Sequence, residues 1–377
     1  MNKKLTLTIL AVIIIVFAVF MGYKNSNTKG VNPIKIGVAV DLSGYAANWG
    51  ESEVKAVQLA YDKYKNEISQ PVEFIIENTK GTGLGTVDAV KKLIEIDKVQ
   101  AIIGPTWGDS YQGAMPIAEK AQVVMLSPSS AIETIQDKST FTYFFSTWWP
   151  EQSEINALIG HMSTSGIKRI SLVNDQDPFD IQIADLLESE IKNNGKAVIA
   201  NRNTVTTGTK DFRTVIAKIK KDAPDAVFIQ VTDTSSMGPF ISQLKEQGLN
   251  IKVYTTPDAE NTDNIAKFPH AYDGILYAFP AYGDDPHYAE LIQSLKTRFG
   301  SAASQGPSFV NAYNAAIMLF EVLKGGARTG TEIRNELGKV NIQGVGIENL
   351  SFDTNGQLKG VKFIMKTISN NQFFDVK

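Results

Sequence analysis

From Ile34 onward the chain repeats one pattern, a short β-rich apolar run followed by an amphipathic segment of helical period. "IKIGVAV" precedes "ESEVKAVQLAYDKYKNE", in which Val54, Val57, Tyr61 and Tyr64 share a helical face. "VEFIIEN" precedes "TVDAVKKLIEIDK", and "VQAIIG" and "VVMLSP" follow. Strands that alternate with helices must pair in parallel, because the crossover helix returns the chain to the same edge. Helices then cover both faces, and the strands read as nearly continuous apolar runs.

A second series begins after "TYFFSTWWPEQSE". It runs through "RISLVND", a helix from about Phe179, "KAVIANRNTV", a helix from Asp211, "DAVFIQV", a helix ending near Gly248, and "IKVYTT". A last strand, "DGILYAFP", precedes two apolar helices, "PHYAELIQSLKTRFG" and "SFVNAYNAAIMLFEVLKGG". The end changes to the alternation of antiparallel strands, with Asn-Gly in "LSFDTNGQLKGVKFIMKTISNNQFFDV". The expected fold class is α/β with two doubly wound Rossmann-like modules and a β-rich tail. A length of 377 residues suits two such modules.

Before these modules, "MNKK" leads into an uncharged run from Leu5 to Tyr23. That run reaches the length of a spanning helix and lacks a small-x-small cleavage site. It is expected to stay as an anchor with Lys3 and Lys4 inside, a cleaved export signal being the alternative. "KNSNTKG" reads as a tether.

Composition removes several function classes. A formal net charge of -3, with basic residues spread along the chain, leaves no footprint for nucleic acid. There is no cysteine, so thiol chemistry, disulfides and a Cys-based zinc site are excluded. His161, His270 and His287 lack metal-ligand spacing, and no G-x-S-x-G elbow supports a serine nucleophile. "GTGLGT" imitates a dinucleotide loop, but its spacing is wrong and it follows the second strand. A loop that starts a helix is the better reading, and no cofactor is expected.

In open α/β sheets ligands bind beyond the carboxyl ends of the strands. The loops there are "DLSGYAANWG", "GPTWGDS", "SPSSA", "NDQDPFD", "VTDTSS" and "TTPDAEN", rich in aromatic, hydroxyl and acidic residues and poor in Lys and Arg. A phosphate or sulfate ligand is not expected. A single Asp in such a loop is ordinarily a helix cap and a single aromatic ordinarily packs on its own loop. Aromatics that recur on several strand ends suggest stacking or cation-π contact with a ligand.

The ordered set "IGVAVDLSGYAANWGESEVKAVQLA", "AIIGP", "VVMLSPSSA", "ISLVNDQDPF", "DAVFIQV" and "FDTNGQLKG" resembles the type I periplasmic substrate-binding proteins, in the branch typified by the leucine/isoleucine/valine-binding proteins of ABC importers. The resemblance implies two lobes joined by three crossovers, near Thr147 to Glu151, Phe279 to Tyr282 and Asn349 to Phe352. It implies an N-terminal segment of residues 1–30, lobe one from 31–147 plus 281–349, and lobe two from 148–280 plus 350–377. Trp107 then stands on the cleft wall. The aromatic that packs on a bound side chain falls on Trp49. The serine that takes the ligand carboxylate falls on Gly108, and the carboxylate-binding threonine on Ala131. The carbonyl that meets the ammonium falls on Ser129, the second-lobe tyrosine on Phe179 and the ammonium's acid on Asp258. Thr232 or Asp233 faces the cleft nearby, and Ser110, Ser129 or Ser130 stands in for the lost hydroxyls.

The implied function is an extracytoplasmic, membrane-tethered receptor that binds a small amine-containing solute, an amino acid by the family, and delivers it to ABC permease subunits. No catalysis, metal or nucleic acid is expected. The alternatives are a receptor or sensor for a neutral amide, short peptide or aromatic compound, and a secreted enzyme using Asp233 with Asp258 as acid and base.

Overall fold

Each apolar run before a polar loop became a strand, and each amphipathic segment after it a helix. The computed structural model describes residues 32–44, 46–106, 111–132, 140–231, 233–283, 285–300 and 306–376. The expected anchor from Leu5 to Tyr23, together with Trp107, Gly108, Ser110 and Thr232, lies outside the described residues.

The first sheet contains β1 (Ile34–Val40), β2 (Val72–Asn78), β3 (Ala101–Ile103), β4 (Val124–Ser127) and β5 (Phe144–Ser146), in the order β2-β1-β3-β4-β5. All its pairings are parallel. Between these strands lie α1 (Ala47–Tyr64), α2 (Gly83–Lys91) and α3 (Met115–Ala121). The second sheet contains β6 (Arg169–Asp175), β7 (Val198–Val205), β8 (Ala226–Gln230), β9 (Lys252–Thr255) and β10 (Leu276–Pro280), parallel in the order β7-β6-β8-β9-β10. Its helices are α4 (Glu151–Thr164), α5 (Pro178–Asn194), α6 (Arg213–Asp222), α7 (Met237–Glu246) and α8 (Thr262–Lys267). β11 (Phe363–Ser369) and β12 (Gln372–Asp375) extend this sheet antiparallel beyond β10.

Both sheets are therefore wound alike: the first strand of each lies between its second and third. That arrangement creates a switch point between β1 and β3 and another between β6 and β8, where adjacent loops diverge and leave a crevice.

After β10 come α9 (Pro286–Phe299), α10 (Pro307–Lys324) and α11 (Gly330–Leu337). α10 is buried almost throughout, as expected of a helix that is apolar all round, and packs on α1 and on β3 and β4. Phe320 meets Tyr61 at 5.8 Å and the edge of Phe74 at 6.1 Å, so the late helices complete the first module's core.

The loop "GTGLGT" starts a helix, as read. Thr82 Oγ1 accepts from Gly85 N at 3.0 Å, and a Cβ on Gly85 would stand 2.1 Å from the Thr79 carbonyl oxygen. The last glycine of the motif is thus required because helix and strand end touch there.

Two features differ from expectation. The tight turn of the β tail that joins β11 to β12 is made by Asn370 and Asn371, with φ of 48° and 62°, the positive-φ geometry that asparagine tolerates. Asn355-Gly356 instead turns a segment that hooks onto β5: Ser146 N donates to the Gly356 carbonyl at 2.9 Å and Leu358 N to the Ser146 carbonyl at 3.0 Å. Residues 353–358 thus lie against β5 of the first sheet, and the chain joins the second sheet at Phe363. Helix α11 was not foreseen, although Thr329 and Glu332 form the reciprocal capping box that marks a helix start.

Candidate functional site

At the first switch point, Asp41 follows β1 and Thr106 follows β3. Thr106 Oγ1 accepts from Asp41 N at 3.0 Å and donates to Glu53 Oε2 at 2.7 Å. The Ser129 hydroxyl, from the loop after β4, donates to Glu53 Oε1. Glu53 reaches this position because α1 lies against the end of β1. A Cβ on Gly50 would stand 1.9 Å from the Asp41 carbonyl oxygen, so only glycine permits that approach. Asp41 Oδ1 accepts from Gly81 N at 3.0 Å and from the Thr79 hydroxyl, while its Oδ2 is buried without a partner. Burial pushes the Glu53 carboxyl up to about 8 against the two hydroxyl hydrogen bonds, and the neighbouring Asp41 charge adds to the rise. Burial raises Asp41 as well.

At the second switch point, Asp175 ends β6 and Gln230 ends β8. Asp175 Oδ1 accepts from Asp177 N at 2.8 Å, and its Oδ2 is buried without a partner. The Gln230 amide nitrogen donates to Asp180 Oδ1 at 2.9 Å and to Asp258 Oδ2 at 3.2 Å, and its oxygen accepts from Thr256 Oγ1 at 2.7 Å. Burial raises Asp258 above the usual carboxylate range despite the Gln230 and Thr256 hydrogen bonds. Glu154, in the first turn of α4, accepts from Trp149 Nε1 at 3.0 Å through Oε2, while Oε1 has no partner. Burial, with the Asp258 charge adding to it, pushes Glu154 up to about 8.

An aromatic wall is drawn from both modules. Trp148 stacks on Trp149 with centroids 3.9 Å apart, Trp49 tilts onto Trp148 at 6.1 Å, and Phe363 meets Trp149 edge-on at 5.7 Å. Gln357 holds the wall's backbone, donating to the Trp148 carbonyl and accepting from Ile132 N at 2.7 Å.

The structure brings Trp49, Ser129, Ala131 and Asp258 to these places. Trp49 is partly buried, and Ala131 is buried against Trp148 and Trp149. The Ser129 hydroxyl is occupied by Glu53, so it is no spare donor for a ligand carboxylate; the Ser130 hydroxyl is buried and unpartnered. Phe179 sits in the first turn of α5 and packs on the second module's core. Asp258 does not cap α8: Asn261 does, accepting from Asn264 N at 3.0 Å. Asp233 stands apart: burial would raise its carboxyl, but the Ser235 hydroxyl, Lys210 at 3.5 Å and Ser235 N at 3.0 Å together hold it below the usual carboxylate range. Among the described residues it shares no partner with Asp258.

Sequence reasoning missed Glu53, Glu154 and Gln230. A signal for Glu53 was present, since it extends the buried face Val57, Ala60 and Tyr64 of α1 by one turn. Glu154 looked like an ordinary acid favouring a helix N-terminus.

Comparison with known proteins gives one consistent picture. A family model described as periplasmic binding protein matches residues 33–372. The leucine-specific-binding protein of Salmonella typhimurium is 24% identical over 336 residues, covering 88% of this chain and 89% of its own length. The branched-chain amino acid transporter substrate-binding protein of Streptococcus pneumoniae, solved with isoleucine, superposes with a TM-score of 0.80 at 20% identity, over 92% of this chain and 99% of its own. A solute-binding protein of an ABC transporter from Rhodopseudomonas palustris, solved with 3,4-dihydroxybenzoic acid, gives 0.78 at 21% identity, over 91% and 96%.

Proposed function

The chain belongs to the periplasmic binding protein family, and on that premise we propose that it is the extracytoplasmic receptor of an ABC importer, closing two lobes around a small amine-bearing solute and releasing it unchanged to the permease. The first sheet with α9, α10 and α11 makes one lobe and the second sheet the other, with the ligand between the paired switch points. The single observation that carries this reading is the set of carboxyls collected at the strand ends, Asp175 and Asp258 with Glu154 beside them, none of which is matched by a lysine or arginine among the described residues. Buried carboxyls without a counter-charge suit an incoming cation.

Relatives are named for leucine and other amino acids, which supports an amine-bearing ligand. Mass spectrometry of the solute released when the purified protein is denatured tests the reading, and recovery of a solute without an amine would reject it. A turnover assay on that solute tests the receptor role, since a receptor returns it unchanged. The structure type solved with an aromatic acid, together with the Trp49–Trp148 wall, favours an aromatic solute as the second reading.

The segment from Leu5 to Tyr23 tethers the receptor to the cytoplasmic membrane in this proposal. Apolar insertion is not screened by salt, so the intact protein stays with membranes in high salt. A released form beginning between Gly22 and Val31 would show cleavage instead.

A further inference from the structure

We propose that the site selects a primary amine with an apolar or aromatic body and no carboxylate, the class left when an amino acid loses its carboxyl group. This rests on the amine reading above and narrows it.

Among the described residues of the first module, three hydroxyls at the strand ends are already committed to acids, and only that of Ser130 stays unpartnered. Ala131 is buried against Trp148 and Trp149 and brings no side-chain donor. The hydroxyls of Thr106 and Ser129 both point to Glu53, and the hydroxyl of Thr79 to Asp41. What lies behind them is acidic. Glu53 is fully buried behind Ser129, and Asp41 Oδ2 is buried beside it with no partner. A ligand carboxylate placed here would meet like charges or acids, and such juxtaposition works against binding.

The second module holds buried carboxyl oxygens that no donor among the described residues meets. Glu154 is 5% exposed and Asp175 fully buried, and each keeps one oxygen without a hydrogen bond. No lysine or arginine pairs with Asp41, Glu53, Glu154, Asp175 or Asp258 among the described residues. An ammonium carries three donors and no acceptor, which suits orphan carboxylate oxygens and also the lone pairs of the free Ser130 hydroxyl. Trp149 fixes Glu154 through its indole N–H and stacks on Trp148, which meets the partly buried Trp49. The acids therefore adjoin an aromatic surface, the pairing that receives a cation with an apolar body.

The experiment is calorimetry on the full chain with matched probes: leucine against 3-methylbutan-1-amine, and phenylalanine against 2-phenylethylamine. The expected result is that at least one amine binds at least about tenfold more tightly than its parent amino acid, a gap of about 1.4 kcal/mol. Glu154→Gln should reduce that amine's affinity about tenfold or more while the melting transition stays cooperative. Equal or tighter binding of the amino acids overturns the inference and leaves the amine reading intact. Binding of benzoate or of 3-methylbutanamide with no binding of either amine overturns both, and a failure of all these probes also counts against the carboxylate-free class.

Discussion

The indole Nε1 of Trp149 donates a 3.0 Å hydrogen bond to Oε2 of Glu154, and the other carboxyl oxygen of Glu154 stays buried with no partner. One residue thus joins the aromatic wall at the crossover to the acids of the second module. The tryptophan supplies a single donor, fixing the direction of the carboxyl without neutralising it.

That arrangement sets a pH dependence. Burial pushes the Glu154 carboxyl from its ordinary 4.5 up to about 8, so the folded state holds an extra proton between those limits. Stability from this group is full below about 4.5 and is lost as pH rises through about 8. Glu53 behaves in the same sense. Glu154→Gln keeps an oxygen for Trp149 and removes one titration, so its melting temperature should fall less between pH 5 and pH 9 than that of the wild type. Equal slopes in ligand-free protein would mean Glu154 does not titrate as described.

Asp258 gives a cleaner test of charge. Its carboxyl accepts from Gln230 and Thr256 and caps no helix, so Asp258→Asn should leave stability within about 1 kcal/mol. Loss of a desolvated charge partner should weaken binding of the recovered amine by about 2 to 5 kcal/mol, roughly thirtyfold or more in Kd. Wild-type affinity for Asp258→Asn in calorimetry would remove Asp258 from the site.

Thr106 ties three elements through one hydroxyl, accepting from Asp41 N and donating to Glu53. Thr106→Val preserves shape and leaves two buried polar groups unpaired, each costing about 1 to 3 kcal/mol. Urea unfolding should therefore show a loss of about 2 to 6 kcal/mol. A loss below about 0.5 kcal/mol, the range of neutral surface changes, would show that another donor or a water takes over.

Closure is the fourth expectation. Short connections between packed sheets absorb rotation that the sheets themselves do not. X-ray scattering should give a smaller radius of gyration with the recovered ligand than without it. An unchanged profile at saturation would argue for a preclosed receptor.

Much of the architecture was legible because periodicity is local. The run from Ile34 to Val40 and the face carrying Val57 and Tyr64 announce strand and helix without reference to anything distant. Helix α11 was legible too, through Thr329 and Glu332, but its short apolar face hid it. The assignment of "GTGLGT" to a helix start followed from spacing alone, and Thr82 performs that role.

The site was legible only in part. Ser129 and Asp258 follow strand ends that any strand-end argument reaches, whereas Trp49 stands in the first turn of α1. The hydroxyl of Ser129 was expected to be available, and only the packing of α1 against β1 at Gly50 shows that Glu53 takes it. Asp233 looked equivalent to Asp258 in sequence; Lys210, twenty-three residues earlier, makes it an ion pair instead.

The sequence by itself determined the alternation of strands and helices, the absence of thiol chemistry and the acidic, aromatic character of the strand ends, since these are properties of neighbouring residues and of composition. The tertiary structure alone decided that Glu53 and Glu154 are buried, that Trp148 and Trp149 stack between the modules, and that Gln230 gathers Asp180 with Asp258. Desolvation and hydrogen bonding depend on what packs from elsewhere in the chain, so a carboxyl that reads as a solvated helix acid becomes an unpaired buried acid only once the sheets and helices are assembled around it.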